Sequence, residues 1–291
     1  MSIFKNNNIN NPFGVPNTAR PNLGALASKI LSDRDAARFK SILGEEGEQN
    51  PGNSSIEDIL VSGLEGIMDN EERKKLEEEK ERRDPLKRII AWAKKYDLGD
   101  ENWVKKYFEF EDDGTFICNA NLKLDSMTEP DFPESIKYVN GSLSLNGLTS
   151  AVGLNLPDKI EYSLYLNNLT SAEGLNLPDE IKDLYLNGLT STKDLNLPDK
   201  IGGSLALNGL TSAEGLNLPD EIKDLYLNGL TSAVGLKLPK EIERTLSLKG
   251  LTSAEGLDLT YIEVGGFIYL EKVPNNEKQE LRKKYYGLNI S

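Results

Sequence analysis

The chain has 291 residues, 38% of them apolar, and a formal charge of −13 from 34 basic and 47 acidic groups. Residues 1–140 carry 20 basic and 27 acidic groups and residues 141–291 carry 14 and 20, so neither half offers the basic surface that nucleic acids or anionic membranes require. A single cysteine, Cys118, and the absence of histidine exclude an internal disulfide and a structural zinc site. No cofactor or metal is expected.

Residues 1–22 are rich in asparagine and proline and read as a disordered tail. They lack a basic segment followed by about seven apolar residues, and no stretch approaches the roughly eighteen apolar residues of a membrane span. The expectation is no membrane insertion, and a protein that is cytoplasmic or exported by a route without a classical signal peptide. Residues 23–115 then form a mostly helical N-terminal region. "NLGALASKIL" and "DRDAARFKSIL" are short helices, "GEEGEQNPGNSS" is a polar linker, and a further helix opens at Ser54 with Glu57 as its capping box. Glu71 with Lys75 and Glu79 with Arg83 mark a solvated helix that lacks the apolar heptads of a dimerising coiled coil, so a monomer is expected. Asp84 and Pro85 read as cap and first residue of one more helix, whose Leu86, Ile89, Ile90, Trp92 and Ala93 face the first coil of a periodic region that begins near residue 116. "YFEFEDDGTFIC", near residues 107–118, reads as a hairpin turning at Asp113 and Gly114.

Residues 116–270 are periodic. The pair L-x-L starts at Leu143, Leu164, Leu184, Leu205, Leu225 and Leu246, at spacings of 21, 20, 21, 20 and 21, and the 23 letters from Leu169 to Ser191 return unchanged at Leu210 to Ser232. Each pair alternates inward leucines with outward residues, as a strand does. Gly147, Asn168, Gly188, Gly209, Gly229 and Gly250 come next, at a turn where positive φ is expected. A second apolar pair then precedes a proline at 157, 178, 198, 219 and 239, which disfavours helix on the return path. The one-residue slack falls between isoleucine and strand leucine, four steps in "IEYSL", "IGGSL" and "IERTL" and three in "IKDL", and is read as a corner before the strand. Leu122, in "NLKLDSM", sits 21 residues before the first clear unit, and about eight coils are counted. Residues 271–291 read as a C-terminal cap helix, starting at Asn275 or Asn276 and stopping at Gly287.

The units "LPDEIKDLYLNGLTS" resemble the short leucine-rich repeats of bacterial proteins, which pair L-P-x-x-L with L-x-L-x-x-(N/C/L), and "IGGSLAL" is similar to the glycine-led strands of receptor L domains. The likeness covers about half of the chain. Leu148, Leu169, Leu189, Leu210, Leu230 and Leu251 stand where the family often places an inward asparagine or cysteine. The implied fold is a right-handed leucine-rich-repeat solenoid with one parallel β-sheet, an extended or turn-like convex side and little helix, behind a mostly α-helical N-terminal region.

Candidate chemistry is sparse. Cys118 has no histidine to activate it, and a small buried thiol is the plainer reading, so no enzymatic activity is expected. Asp158, Asp179, Asp199 and Asp220 follow the prolines and are read as caps of Pro-Asp turns rather than as a calcium ladder. Thr149, Thr170, Thr190, Thr211, Thr231 and Thr252 form a hydroxyl file, read as internal hydrogen bonding. On the exposed strand face stand Tyr165, Tyr185 and Tyr226, with Asn167, Asn187, Asn208 and Asn228 beside them. Asparagines at this spacing form amide ladders, and exposed tyrosines make contact area at little entropic cost. The expected function is a non-catalytic scaffold binding a protein partner through this face. The resemblance implies one alternative, a bacterial effector or ubiquitin-ligase-like protein whose repeats choose the substrate, and the solenoid itself allows another, a purely structural rigid spacer.

Overall fold

The computed structural model describes residues 84–111 and 113–291, so the expected tail, helices and charged spacer of residues 1–83 lie outside the described residues. The chain divides into two compact units, residues 1–88 and 89–291. At the end of the first, Asp84 Oδ1 accepts from Leu86 N (2.9 Å) and Lys87 N (3.3 Å), capping helix α1 (Pro85–Lys95) as its Asp-Pro start implies.

The second unit begins within α1, whose Ile89, Trp92 and Ala93 are buried. Trp92 Nε1 donates to Asp131 O (2.9 Å), and Lys95 Nζ and Tyr96 OH both reach Asp131 Oδ2 (2.6 and 2.9 Å). The Trp92 ring meets Phe132 edge to face at 5.7 Å, so this stretch covers the open end of the first coil. A second helix, α2 (Glu101–Tyr107), was not legible in the sequence. Its seven residues bury only Val104, and it is fixed by Asp100, whose side chain accepts from Trp103 N at 3.0 Å. The hairpin comes next, as expected: β1 (Phe108–Phe110) and β2 (Phe116–Cys118) pair antiparallel around Gly114, at φ 86°.

Every later pairing is parallel. The strands are β3 (Leu122–Lys123), β4 (Ile136–Val139), β5 (Leu143–Ser144), β6 (Lys159–Tyr165), β7 (Glu180–Tyr185), β8 (Lys200–Ile201), β9 (Ser204–Ala206), β10 (Glu221–Tyr226), β11 (Glu241–Ser247), β12 (Glu263–Val264), β13 (Phe267–Tyr269) and β14 (Asn289–Ile290). One buried file threads them in register, Leu122, Leu143, Leu164, Leu184, Leu205, Leu225, Leu246, Ile268 and Ile290, at steps of 20 to 22 residues. Nine strand positions joined by eight turns make a parallel β-solenoid. A second apolar file, Cys118, Val139, Ile160, Ile181, Ile201, Ile222, Ile242 and Val264, precedes it by three or four residues. A third is the inward leucines Leu148, Leu169, Leu189, Leu210, Leu230 and Leu251, all at 0% exposure. Each buried leucine contributes about 1.5–3 kcal/mol relative to an exposed one.

Several expectations are corrected. In "IEYSL" and "IERTL" the slack before the leucine is no corner: the strand runs through it and the extra residue is a bulge, between Ile160 and Ser163 against β7 and between Ile222 and Asp224 against β11, whereas in "IGGSL" the chain bends at Gly202 and Gly203 between β8 and β9. Gly147, Gly188, Gly209, Gly229 and Gly250 do not have positive φ; that geometry belongs to Gly153, Gly174, Gly215, Gly235 and Gly256, with Asp194 at φ 61° in the remaining coil. The first set is glycine because the coils approach closely: a Cβ at Gly229 would overlap Asn208 O and lie 2.6 Å from Leu210 O. Asp158, Asp179 and Asp199 cap nothing among the described residues, and Asp220 pairs with Lys240. Serine does the capping, since Ser150, Ser171, Ser191, Ser212, Ser232 and Ser253 each accept from the amide two residues on. Of the threonine hydroxyls, Thr170 reaches Thr149 O (3.5 Å) and Thr252 reaches Thr231 O (3.3 Å), which is internal bonding at two of the six positions.

The sheet also runs past residue 270. Helix α3 (Asn275–Lys284) occupies the return path of a last coil, Gly287 turns at φ 101°, and β14 adds to β13. Arg282 Nε ties helix to strand through Ile290 O (2.8 Å).

Candidate functional site

Strand alternation turns one residue of each coil inward and the next outward, which assembles three outward files. The first runs through Ser163, Asp183, Ser204, Asp224 and Thr245, the second through Ser144, Tyr165, Tyr185, Ala206, Tyr226, Ser247 and Tyr269, and the third through Asn146, Asn167, Asn187, Asn208 and Asn228.

In the middle file the tyrosines are half-buried, while the residues on either side of each, leucines throughout except for Ile268, are at 0% exposure. Tyr165 and Tyr185 stack face to face, centroids 4.7 Å apart and planes 7° from parallel, because in-register parallel strands set like residues at this spacing. Tyr226 stands apart, separated from that pair by the coil bearing Ala206 and from Tyr269 by the coil bearing Ser247, both small and buried. Burial first, then the neighbouring Asp183 carboxylate and the stacked Tyr165, push the Tyr185 hydroxyl above its ordinary pKa. Burial and then Asp224 do the same to Tyr226. Both rings are neutral hydrogen-bonding groups at physiological pH.

The asparagines are joined into one ladder. Oδ1 of Asn146, Asn167 and Asn187 accepts the side-chain amide of the next asparagine at 3.1, 2.7 and 2.8 Å. The backbone amides of Asn167, Asn187, Asn208 and Asn228 donate to the oxygen one coil back at 2.9, 3.4, 3.1 and 3.0 Å. Beyond the last rung, Asn228 Oδ1 accepts from Ser247 Oγ (2.7 Å) and Lys249 N (3.1 Å). These four partner-binding candidates are thus engaged in coil-to-coil pairing, which leaves the half-buried tyrosine rings as the aromatic part of this face.

The polar file was missed in the sequence, where "IKDL" showed itself only as a spacing. Asp183 Oδ1 accepts from Ser204 N (2.8 Å) and Oδ2 from Ser163 Oγ (3.2 Å). Asp224 is 6% exposed, accepts from Ser204 Oγ (3.4 Å), and is ion-paired with Arg244. An aspartate two residues before an outward tyrosine on the same strand was the available signal.

Cys118 heads the isoleucine file as a small apolar filler, 0% exposed, and burial pushes its thiol up to about 11. Among the described residues no group of three or more Cys, Asp or Glu side chains could hold a metal ion, and no helix is long and apolar enough to cross a membrane. Comparison with family models, with curated proteins and with solved structures yields no match.

Proposed function

We propose that this solenoid is of the leucine-rich-repeat kind and works as a non-catalytic scaffold that binds a protein partner through its outward strand face. The observation that carries the reading is the stacked, half-buried pair Tyr165 and Tyr185 on a face whose other polar groups already pair with one another. Rigid rings with only two rotatable bonds cost little entropy to bury, which is why tyrosine anchors interfaces. A sealed thiol held at about 11 supports the non-catalytic side of the reading, since almost no thiolate exists at neutral pH.

The test is capture of the partner by the full chain and by a Tyr165→Ser, Tyr185→Ser, Tyr226→Ser variant. Serine already occupies this file at Ser144 and Ser247, so the fold tolerates it. Anchors of this type are worth about 2 kcal/mol or more each, so affinity falls by orders of magnitude with the melting curve little changed. Undiminished capture by a folded triple variant would move recognition off the strand face and favour the spacer reading.

A further inference from the structure

The 23-residue duplication places Asp183 and Asp224 at identical points of identical sequence, 41 residues apart. The difference lies in the next coil. After Asp224 comes "EIERT", and Arg244, twenty residues on, seats its guanidinium on the Asp224 carboxylate. After Asp183 comes "KIGGS", and the residue twenty on is Gly203. Among the described residues the partners of Asp183 are the Ser204 amide and the Ser163 hydroxyl, and neither is a cation. The nearby lysines are committed elsewhere: Lys182 lies over the Tyr162 ring (5.2 Å), Lys200 pairs with Glu180 (3.5 Å) and Lys223 with Glu243 (3.1 Å).

We propose that the Asp183 carboxylate beside Gly202 and Gly203 is the seat of an arginine side chain supplied by the protein partner, and that Arg244 on Asp224 is the chain's own copy of that contact. This rests on the strand-face reading and adds to it the chemistry of the partner. The carboxylate keeps lone pairs beyond the two used by Ser204 and Ser163. Gly203 sets no side chain over the carboxylate, where a Cβ would overlap Asp183 Oδ1, and a Cβ at the neighbouring Gly202 would meet nothing within 4 Å. Two residues along the strand, Tyr185 stacks on Tyr165 and is followed by Ala206 rather than a third ring, which provides an aromatic surface for a planar guanidinium. The protein uses such cation–ring contacts at home, as Lys249 over Tyr269 shows at 5.4 Å. An acidic chain of net charge −13 also favours approach of a basic segment.

The test titrates the isotope-labelled full chain with N-acetyl-arginine amide and, separately, with its neutral isostere N-acetyl-citrulline amide, following backbone amide resonances. The expected result is a saturable shift at Gly202, Gly203 and Ser204 with the arginine probe alone. Asp183→Asn, which retains an acceptor for the Ser204 amide, weakens it roughly tenfold, the scale of a lost charge-assisted hydrogen bond. Arg244→Ala frees the second seat, and a second saturable site appears at the Thr245 amide. Equal shifts from both probes, no saturable shift, or unchanged binding by Asp183→Asn would overturn the proposal. Capture experiments separate the two ideas: a partner lost by the triple tyrosine variant but held fully by Asp183→Asn sinks the arginine seat alone, whereas a partner held by both sinks the strand-face reading beneath it.

Discussion

Gly229 and Gly235 stand six residues apart in one coil and are glycine for different reasons, so alanine at each should fail differently. At Gly235, φ is +80° and a Cβ would meet nothing within 4 Å, which leaves only the left-handed backbone. That conformation costs an L-residue about 1–2 kcal/mol, and the stiffer unfolded chain returns about 0.4–1 kcal/mol, for a net loss of about 1 kcal/mol. At Gly229 the obstacle is backbone, Asn208 O and Leu210 O, and no rotamer relieves it. The facing coil must retreat by about 1 Å against its own ladder, an overpacking cost toward the upper end of the usual 1–3 kcal/mol. Asn168 stands at the equivalent place in another coil, where its Nδ2 donates to Asn146 O at 2.5 Å, so a side chain able to hydrogen-bond recovers part of the cost and alanine is the discriminating choice. Urea unfolding followed by circular dichroism should place Gly229→Ala about 2 kcal/mol below Gly235→Ala. Gly235→Asn should do better than Gly235→Ala, because asparagine tolerates positive φ. If Gly229→Ala proves the milder of the two, or if asparagine gives no relief at 235, the division of the glycines into crowded and left-handed sets is wrong.

Removing the 41-residue double unit Leu169–Gly209 joins β6 to β10 with the same bulged register that β6 makes with β7; a shorter folded solenoid is expected, its urea m-value reduced by roughly a quarter, and loss of the β-sheet spectrum would refute the stacking argument. Asp131 is raised by burial but lowered more by Lys95 and Tyr96, so its folded pKa lies below the unfolded one. Its contribution is therefore present above the ordinary carboxylate range and lost as pH falls through the depressed value. Trp92 fluorescence in a Trp103→Phe background should report this as an acid step at α1 that Asp131→Asn abolishes; a step that survives the substitution assigns it elsewhere. Cys118 should resist a disulfide-exchange reagent in the native state and react only on unfolding, and Cys118→Ala should leave partner capture unchanged; fast native labelling would contradict its burial.

The solenoid was legible because burial imposes a period, and Leu143, Leu164, Leu184, Leu205, Leu225 and Leu246 could not recur at 20 and 21 residues for any other purpose. Isoleucine-to-leucine spacing revealed where the slack lay, but not that a strand absorbs it as a bulge, since hydrogen-bond register between strands leaves no mark on composition. Glycine misleads here because the residue is selected equally by positive φ and by lack of room, and only neighbouring atoms separate the two. Alternation alone puts Tyr165 and Tyr185 on the outward side of the strands, but not their half-burial, which comes from stacking between coils. Asp183 escaped notice because its meaning depends on Gly203, in a different coil. β14 was invisible for a similar reason: "LNI" is a strand only because Ile268 lies beside it.

The amide ladder also has a direction. From Asn208 to Asn187, Asn167 and Asn146, every side-chain N–H points toward the start of the solenoid. Asn146 continues the line to Ser144 Oγ (2.9 Å), and Ser144 passes it to Asp125 Oδ1 (2.5 Å), where it ends on a carboxylate. Hydrogen bonds linked in this way polarise one another, and a full negative charge at the terminus biases the whole row the same way. The stack is thus an electrically oriented rod as well as a mechanical one, with Asp125 setting its sense. Neutralising that single carboxylate would be felt along the asparagines in decreasing measure, most at Asn146 and least at Asn208.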